Sequence, residues 1–385
     1  MAQSGMVIIG TGLAGYGAAR EFRKWDRTTP LTLITAGDGA YYSKPQLSAA
    51  WSAGRTASGL VLKDAAAMAS ELGAALVTGE AVLAADAAAK TVTLASGRVV
   101  PYSKLVLAMG AKARRPRVEV APGAVIHSVN DLDQYRVLRA AVPAGGRLLI
   151  LGAGLIGCEF AHDFGMAGHR VIVAGTGTGP LPGLLPPRIS AGLRAALEKT
   201  GVEFRFGDGL VSVAPSASGL RAVFASGTAL ETDAVLSAIG FDPELGLANA
   251  LGLRVGRGIS VDGSLRTSDP DIFALGDCAE MSGHWLPFVS PLSQASRVLG
   301  RTLAGLPAAL ELPPMPVLVK TPSYPLAIIP PPAEATGEWS EETTADGAAA
   351  FFRNREGALL GFVAAGNRYA ERNAWARELA AARPH

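Results

Sequence analysis

The sequence predicts an α/β protein with two Rossmann-like dinucleotide-binding units and a small α+β C-terminal domain. Three observations carry this expectation. A short apolar run ends in a glycine fingerprint twice, about 140 residues apart, and each time a helical pattern and a second strand follow. Each unit also closes on a strand that ends in glycine. Beyond Pro307 the chain becomes proline-rich, with Pro313-Pro314, Pro316 and Pro330-Pro331-Pro332, which marks a joint into a further domain. A length of 385 residues is enough for two or three such bodies.

The elements follow in order. Val7-Ile8-Ile9 runs into Gly10-Thr11-Gly12-Leu13-Ala14-Gly15, then a helical pattern with Ala18, Ala19 and Phe22, then the strand Leu31-Thr32-Leu33-Ile34. Short strands such as Thr91 to Leu94, bounded by Ser96-Gly97, form a β-rich insert. Leu105-Val106-Leu107 brings the chain back to the first sheet and ends at Gly110. The grammar then repeats. Leu148-Leu149-Ile150-Leu151 precedes Gly152-Ala153-Gly154-Leu155-Ile156-Gly157, a helix through Ala161 and Phe164, and the strand Val171-Ile172-Val173. Ala234-Val235-Leu236 closes this unit at Gly240. Ile272-Phe273-Ala274-Leu275 stops at Gly276-Asp277. The last domain shows strands at Ala349 to Phe352 and Leu359 to Val363, and a helix from about Asn373 to Ala381.

With 46 glycines, one such fingerprint would arise by chance about 0.6 times in a chain of this size, so context has to decide. Here both copies follow a strand and open a helix, and both place an alanine four residues on, Ala19 and Ala161. The first glycine allows the tight turn, the second lets backbone N–H groups approach a pyrophosphate, and the third lets helix and strand pack closely. The helix N-terminus adds a partial positive charge. Two units imply two dinucleotides, which in oxidoreductases means a resident flavin and an exchanging nicotinamide.

The rest of the composition narrows the class. A formal charge of +2 disfavours a dedicated nucleic-acid binder, and 49% apolar residues exclude a disordered chain. No eighteen-residue apolar run predicts a membrane span, and Met1 to Gly5 lacks the charge of a secretory signal, so the cytoplasm is expected. Cys158 and Cys278 stand far apart, and the five histidines form no ligand spacing, so neither a redox cysteine pair nor a bound metal is expected.

These residues resemble the glutathione reductase-like flavoproteins, in which an NAD(P)H domain interrupts an FAD domain. The resemblance rests on Gly10 to Gly15, Leu105 to Ala111, Gly152 to Glu159, Ala238 to Pro243 and Thr267 to Asp277, and covers nearly the whole chain. Within the family the chain is most similar to the single-electron reductases that serve rubredoxin or ferredoxin. Tyr42 to Pro45, Ile150 to Phe160 and Pro316 to Pro322 resemble the rubredoxin-serving members, and Lys44-Pro45 stands where ferredoxin reductases carry Arg-Pro-Pro. The resemblance implies an FAD domain at 1–111 and 242–315, an NADH domain at 112–241 and a C-terminal domain at 316–385. It also implies FAD and NADH as cofactors and rubredoxin, an acidic one-electron carrier, as partner. A ferredoxin reductase of an oxygenase system and an NADH oxidase-like flavoprotein are the alternatives. Residues 36 to 60 contain no cysteine, which disfavours the peroxidase branch.

The resemblance also assigns residues. FAD would lie against Gly10, Gly12, Leu13, Ala14, Gly15, Thr35, Asp38, Lys44, Pro45, Ala108, Gly110, Gly276, Asp277 and Lys320. NADH would lie against Gly152, Gly154, Leu155, Ile156, Gly157, Glu159, Ala238 and Gly240. Asp277 would accept a ribityl hydroxyl. Lys44 would be a fixed cation at the flavin edge, and Glu159 would face the flavin and pair with Lys44, or else stabilise the helix dipole in the first turn. A helix from Pro291 to Arg301 would aim its N-terminus at the flavin. Three positions depart from the pattern. The first unit has Thr35-Ala36-Gly37-Asp38 in place of a strand-end Glu, the second has Gly175 with neither an acid nor a nearby Arg, and Met109 replaces Thr. The lack of a cation near Gly175 favours NADH over NADPH. The basic run Lys112 to Arg117 reads as a solvated hinge or as a steering patch for an acidic carrier.

Overall fold

The computed structural model describes residues 5–382, and its secondary structure repeats itself as the glycine fingerprints do. The first parallel sheet has five strands in the order Ile272–Ala274, Lys104–Leu107, Met6–Ile9, Leu31–Ile34, Ala75–Val77. The second has the order Ile126–His127, Ala234–Ser237, Arg147–Leu151, Arg170–Gly175, Val202–Phe206. In both, the strand that enters the glycine turn is central. The returning strand flanks it on one side and the strand after the helix on the other, all in parallel register. Parallel sheets are covered on both faces, which is why these strands read as unbroken apolar runs. Met6, Val7, Ile8 and Ile9 are all buried.

Each sheet carries an antiparallel insert. In the first unit it is Val82–Asp86, Thr91–Leu94 and Val99–Pro101, and in the second Leu210–Ser216, Gly219–Phe224 and Ala229–Thr232. The C-terminal region forms a five-stranded sheet ordered Val317–Val319, Leu326–Ile329, Leu359–Gly366, Gly347–Arg353, Glu338–Thr343. Trp375 and Leu379 of the helix Arg372–Ala382 bury against Ala327, Leu359 and Phe362 of that sheet. The predicted helix at Pro291 is longer than expected, Val289–Leu303. Pro291 fits inside its first turn because N–H groups there have no intrahelical acceptor to lose.

Two compact units emerge. The first comprises the described chain up to Lys44, Leu60–Lys112 and Phe241–Leu312, and the second Pro45–Gly59, Ala113–Gly240 and the chain from Pro313 onward. The chain crosses between them near 112 and 241; residues 45–59 group with the second unit, and so does the C-terminal sheet. The polar contacts described below account for both.

In the first unit, the helices Leu13–Arg23 and Val289–Leu303 approach closely enough to require glycine. A Cβ on Gly300 would lie 2.6 Å from the Glu21 carbonyl carbon, and one on Gly17 would lie 2.8 Å from Ser296 Oγ. Gly300→Ala is expected to push the helices apart and cost about 1–3 kcal/mol, the usual penalty of overpacking. Urea unfolding of the variant measures this.

Candidate functional site

The first unit builds a cradle from backbone. Gly10 has φ +110°, and a Cβ there would fall 2.2 Å from the Ala108 carbonyl oxygen. A Cβ on Gly15 would fall 1.9 Å from the Gly10 oxygen, so neither position accepts a side chain. Gly12 is different: nothing lies within 4 Å of its Cβ position, and it caps the helix Leu13–Arg23 without a side-chain cap. The helix start therefore opens onto free space where a phosphate can meet N–H groups. Gly276, with φ +80°, comes so near that its Cβ would lie 2.7 Å from Ala14 Cβ, which sets the Gly276-Asp277 turn beside the helix start. Lys44 Nζ lies 3.8 Å from Asp277 Oδ2, each side chain about one-third exposed at 35% and 31%. At the end of the strand Leu31–Ile34, Thr35 Oγ1 accepts from Gly37 N and Asp38 Oδ1 from Ala40 N, so both side chains shape their own exposed turn.

The second unit repeats the cradle. Gly152 has φ +101°, with its Cβ position 2.6 Å from the Ala238 oxygen, and a Cβ on Gly157 would meet the Gly152 oxygen at 1.9 Å. Gly154 again faces open space and caps the helix Leu155–Met166 without a side chain. Gly240, at φ +104°, closes the returning strand. Both turns thus have the shape a pyrophosphate needs, an open second glycine between two positions where only glycine fits.

Below its cradle, the helix Leu155–Met166 buries a polar face. Glu159, His162 and Asp163 stand three and four residues apart, hence on one side of the helix, and all are buried. Glu159 Oε2 accepts from Ser48 Oγ at 2.6 Å and from Lys320 Nζ, while Oε1 accepts from the Lys320 backbone N–H at 3.0 Å. Lys320 Nζ also donates to Ser48 Oγ at 2.9 Å. Asp163 accepts from Trp51 N at 2.7 Å, Ser52 N at 3.0 Å and Ser52 Oγ. His162 Nε2 meets Ser323 Oγ at 2.7 Å. One expectation needs correction here. Glu159 stands in the second turn of its helix, too far along to serve as a first-turn acid. Lys320 has its ammonium on Glu159 and Ser48, with 35% of the side chain exposed. Lys112 of the basic run is also not free, because it pairs with Glu244.

Sequence reasoning missed Ser48, Trp51, Ser52, Asp163 and the histidines as a group. Trp51 Nε1 donates to His169 Nε2 at 2.8 Å, and Arg139 lies over the Trp51 ring at 4.5 Å. An indole N–H can only donate, so His169 must be neutral at Nε2. Burial holds the His169 imidazole below its ordinary value near 6.5, and the Arg139 charge adds to that. Both thiols are buried and free, with Cys158 pushed up to about 12 and Cys278 to about 11 by desolvation. Among the described residues no three His, Cys, Asp or Glu side chains gather as metal ligands, and no helix is long and apolar enough to cross a membrane.

Residues 4–296 match the family described as pyridine nucleotide-disulphide oxidoreductase, and residues 309–379 match the rubredoxin binding C-terminal domain. The chain is 42% identical to rubredoxin-NAD(+) reductase of Alcanivorax borkumensis, over 98% of this chain and 99% of that protein. It is 40% identical to nitric oxide reductase FlRd-NAD(+) reductase of Aeromonas salmonicida, over 94% and 93%. Among solved structures, the putidaredoxin reductase of a covalent complex with putidaredoxin matches with a TM-score of 0.88 and 26% identity, covering 100% of this chain and 94% of that one.

The buried histidines set a direction for pH dependence. His127, His162 and His169 are each held below 6.5, so the unfolded chain binds more protons as pH falls through that value. Stability is expected to be full above about pH 7 and to fall toward pH 5.5. Asp26 and Glu71, held near about 2, act only at lower pH, below their unfolded values. His169→Gln, whose amide oxygen can still accept from Trp51, should flatten the slope, as read from urea midpoints at pH 7.5, 6.5 and 5.5.

Proposed function

This chain belongs to the pyridine nucleotide-disulphide oxidoreductase family, and on that premise we propose that it is an FAD-dependent NADH oxidoreductase that delivers electrons singly to rubredoxin. The observation that carries the reading is the union of two glycine cradles with a rubredoxin binding C-terminal domain in one chain. The first cradle would hold FAD through the open N-terminus at Gly12, with Asp277 accepting a ribityl hydroxyl and Lys44 held beside it as a fixed cation. The second would hold NADH at Gly154, above the buried Glu159. Flavin exchanges electrons in pairs with nicotinamide and singly with an iron carrier, which is the conversion this pairing of domains requires.

The chain's own residues close the other route that the family name suggests. Both cysteines are buried and held as thiols, so neither offers the thiolate that disulfide exchange needs. Electrons must leave for an external acceptor. Lys320 lies within the segment 309–379, with its ammonium paired to the buried Glu159. The buried thiols and the lack of a membrane-spanning helix among the described residues support a place in the cytoplasm.

The test is anaerobic, with each carrier followed at its own absorbance. NADH should reduce rubredoxin rapidly and a [2Fe–2S] ferredoxin poorly. Preference for ferredoxin would move the chain to the reductases of oxygenase systems, and reduction of neither would sink the carrier assignment. The two cradles separate by mutation. Gly12→Val should yield protein without bound flavin, whereas Gly154→Val should keep the flavin absorbance and weaken NAD+ binding by at least about tenfold in titration.

A further inference from the structure

The strand Arg170–Gly175 ends where a dinucleotide fold ordinarily carries an acid that accepts from the ribose 2′-hydroxyl. This chain has Gly175 there, and the structure shows what takes the acid's place. Gly175 pairs in parallel register with Phe206. A Cβ on Gly175 would lie 3.3 Å from Cε1 of the Phe206 ring and 3.4 Å from Ala153 Cβ in the glycine turn. An aromatic ring therefore fills the flank that a carboxylate would occupy. The ring is well held. Phe204 stacks on it at 5.4 Å and 13°, and Arg194 lies 5.9 Å from both centroids. That guanidinium is already paired, its Nε 2.7 Å from Glu198 Oε1.

We propose that Phe206 is the residue that makes this chain select NADH over NADPH. The inference rests on the second cradle being the NADH site. An acid at this position selects in two ways, by gripping the 2′-hydroxyl and by repelling a 2′-phosphate. Phe206 selects only by exclusion. A hydroxyl beside the ring turns to water at little cost, whereas a phosphate carrying nearly two charges would lose hydration against apolar surface. The cation over the rings cannot compensate while Glu198 neutralises it. Gly175 is then a consequence of the ring, because a longer side chain there would have to displace Phe206 by a few tenths of an ångström.

The test is calorimetric titration of the oxidised flavin-loaded enzyme with NAD+ and with NADP+. The unmodified chain should favour NAD+. Phe206→Ser should narrow the ratio of the two dissociation constants by at least about tenfold, chiefly by tightening NADP+. Phe206→Leu, which keeps the apolar wall, should leave the ratio near that of the unmodified chain, and Phe206→Ser with Glu198→Gln, which frees Arg194, should narrow it further. Retained flavin absorbance and NAD+ binding report that each variant is folded. A ratio unchanged within about twofold in Phe206→Ser would overturn the role of Phe206 while leaving the NADH site intact. Failure of the unmodified, flavin-loaded chain to bind either nucleotide would overturn both the site reading and the inference.

Discussion

The second unit depends on one carboxylate. Glu159 is almost wholly buried, and a buried charge is costly unless every lone pair is used. Its three donors come from two distant stretches of chain, Ser48 from one and the Lys320 backbone and ammonium from the other. One helical turn further on, Asp163 does the same with Trp51 and Ser52. A helix whose N-terminus is shaped for a phosphate thus uses its next two turns to hold the loop 45–59 and the entry to the C-terminal sheet. Such a network is worth having only when complete, because each unpaired member would carry the full cost of desolvation. This explains why the helix buries eight of its twelve residues although three of the eight are Glu159, His162 and Asp163.

The parts of the molecule that were legible in the sequence are those fixed by local rules. Glycine at 10, 15, 152 and 157 is demanded by backbone oxygens within the same turn or the adjoining strand. The returning strands Lys104–Leu107 and Ala234–Ser237 are recognisable because a strand covered on both faces must be apolar throughout. The polar hub obeys no local rule. Ser48 and Glu159 are 111 residues apart and Lys320 lies 161 beyond Glu159, so no periodicity connects them. The spacing of Glu159 and Asp163 was visible, but the donors to Asp163 are mostly backbone N–H groups, which every residue but proline carries. The lysine that pairs with the carboxylate, Lys320, sits in a domain whose placement a string of letters does not encode.

The two units show how one frame is fitted to two ligands. Four of the five strands in each sheet correspond in order, the edge strand differing because Ile272–Ala274 follows the rest of its sheet in the chain while Ile126–His127 precedes it, and the glycine turns agree to within a few tenths of an ångström in what each would exclude. What differs is the furniture around the turns. The first has a lysine–carboxylate pair at Asp277 and a self-contained turn at Thr35 to Asp38. The second has an aromatic wall at Phe206 and a buried polar face beneath. Duplication of the backbone solution leaves chemical identity to side chains that the frame does not constrain.

The dispersal of the second unit along the chain has a bearing on its synthesis. Residues 45–59 leave the ribosome before most of the first unit, and Lys320 leaves 161 residues after Glu159, a delay of roughly 8 to 32 s at common elongation rates. The last strand of the sheet beside the helix Leu155–Met166 is complete only at Ser237, and for the 83 residues from there to Lys320 (320 − 237) the helix still lacks the ammonium that makes burial of Glu159 tolerable. The carboxylate must stay hydrated until Lys320 arrives. Assembly of this unit is therefore late by construction, and the nascent chain carries an exposed, half-built nucleotide domain for the whole of that delay.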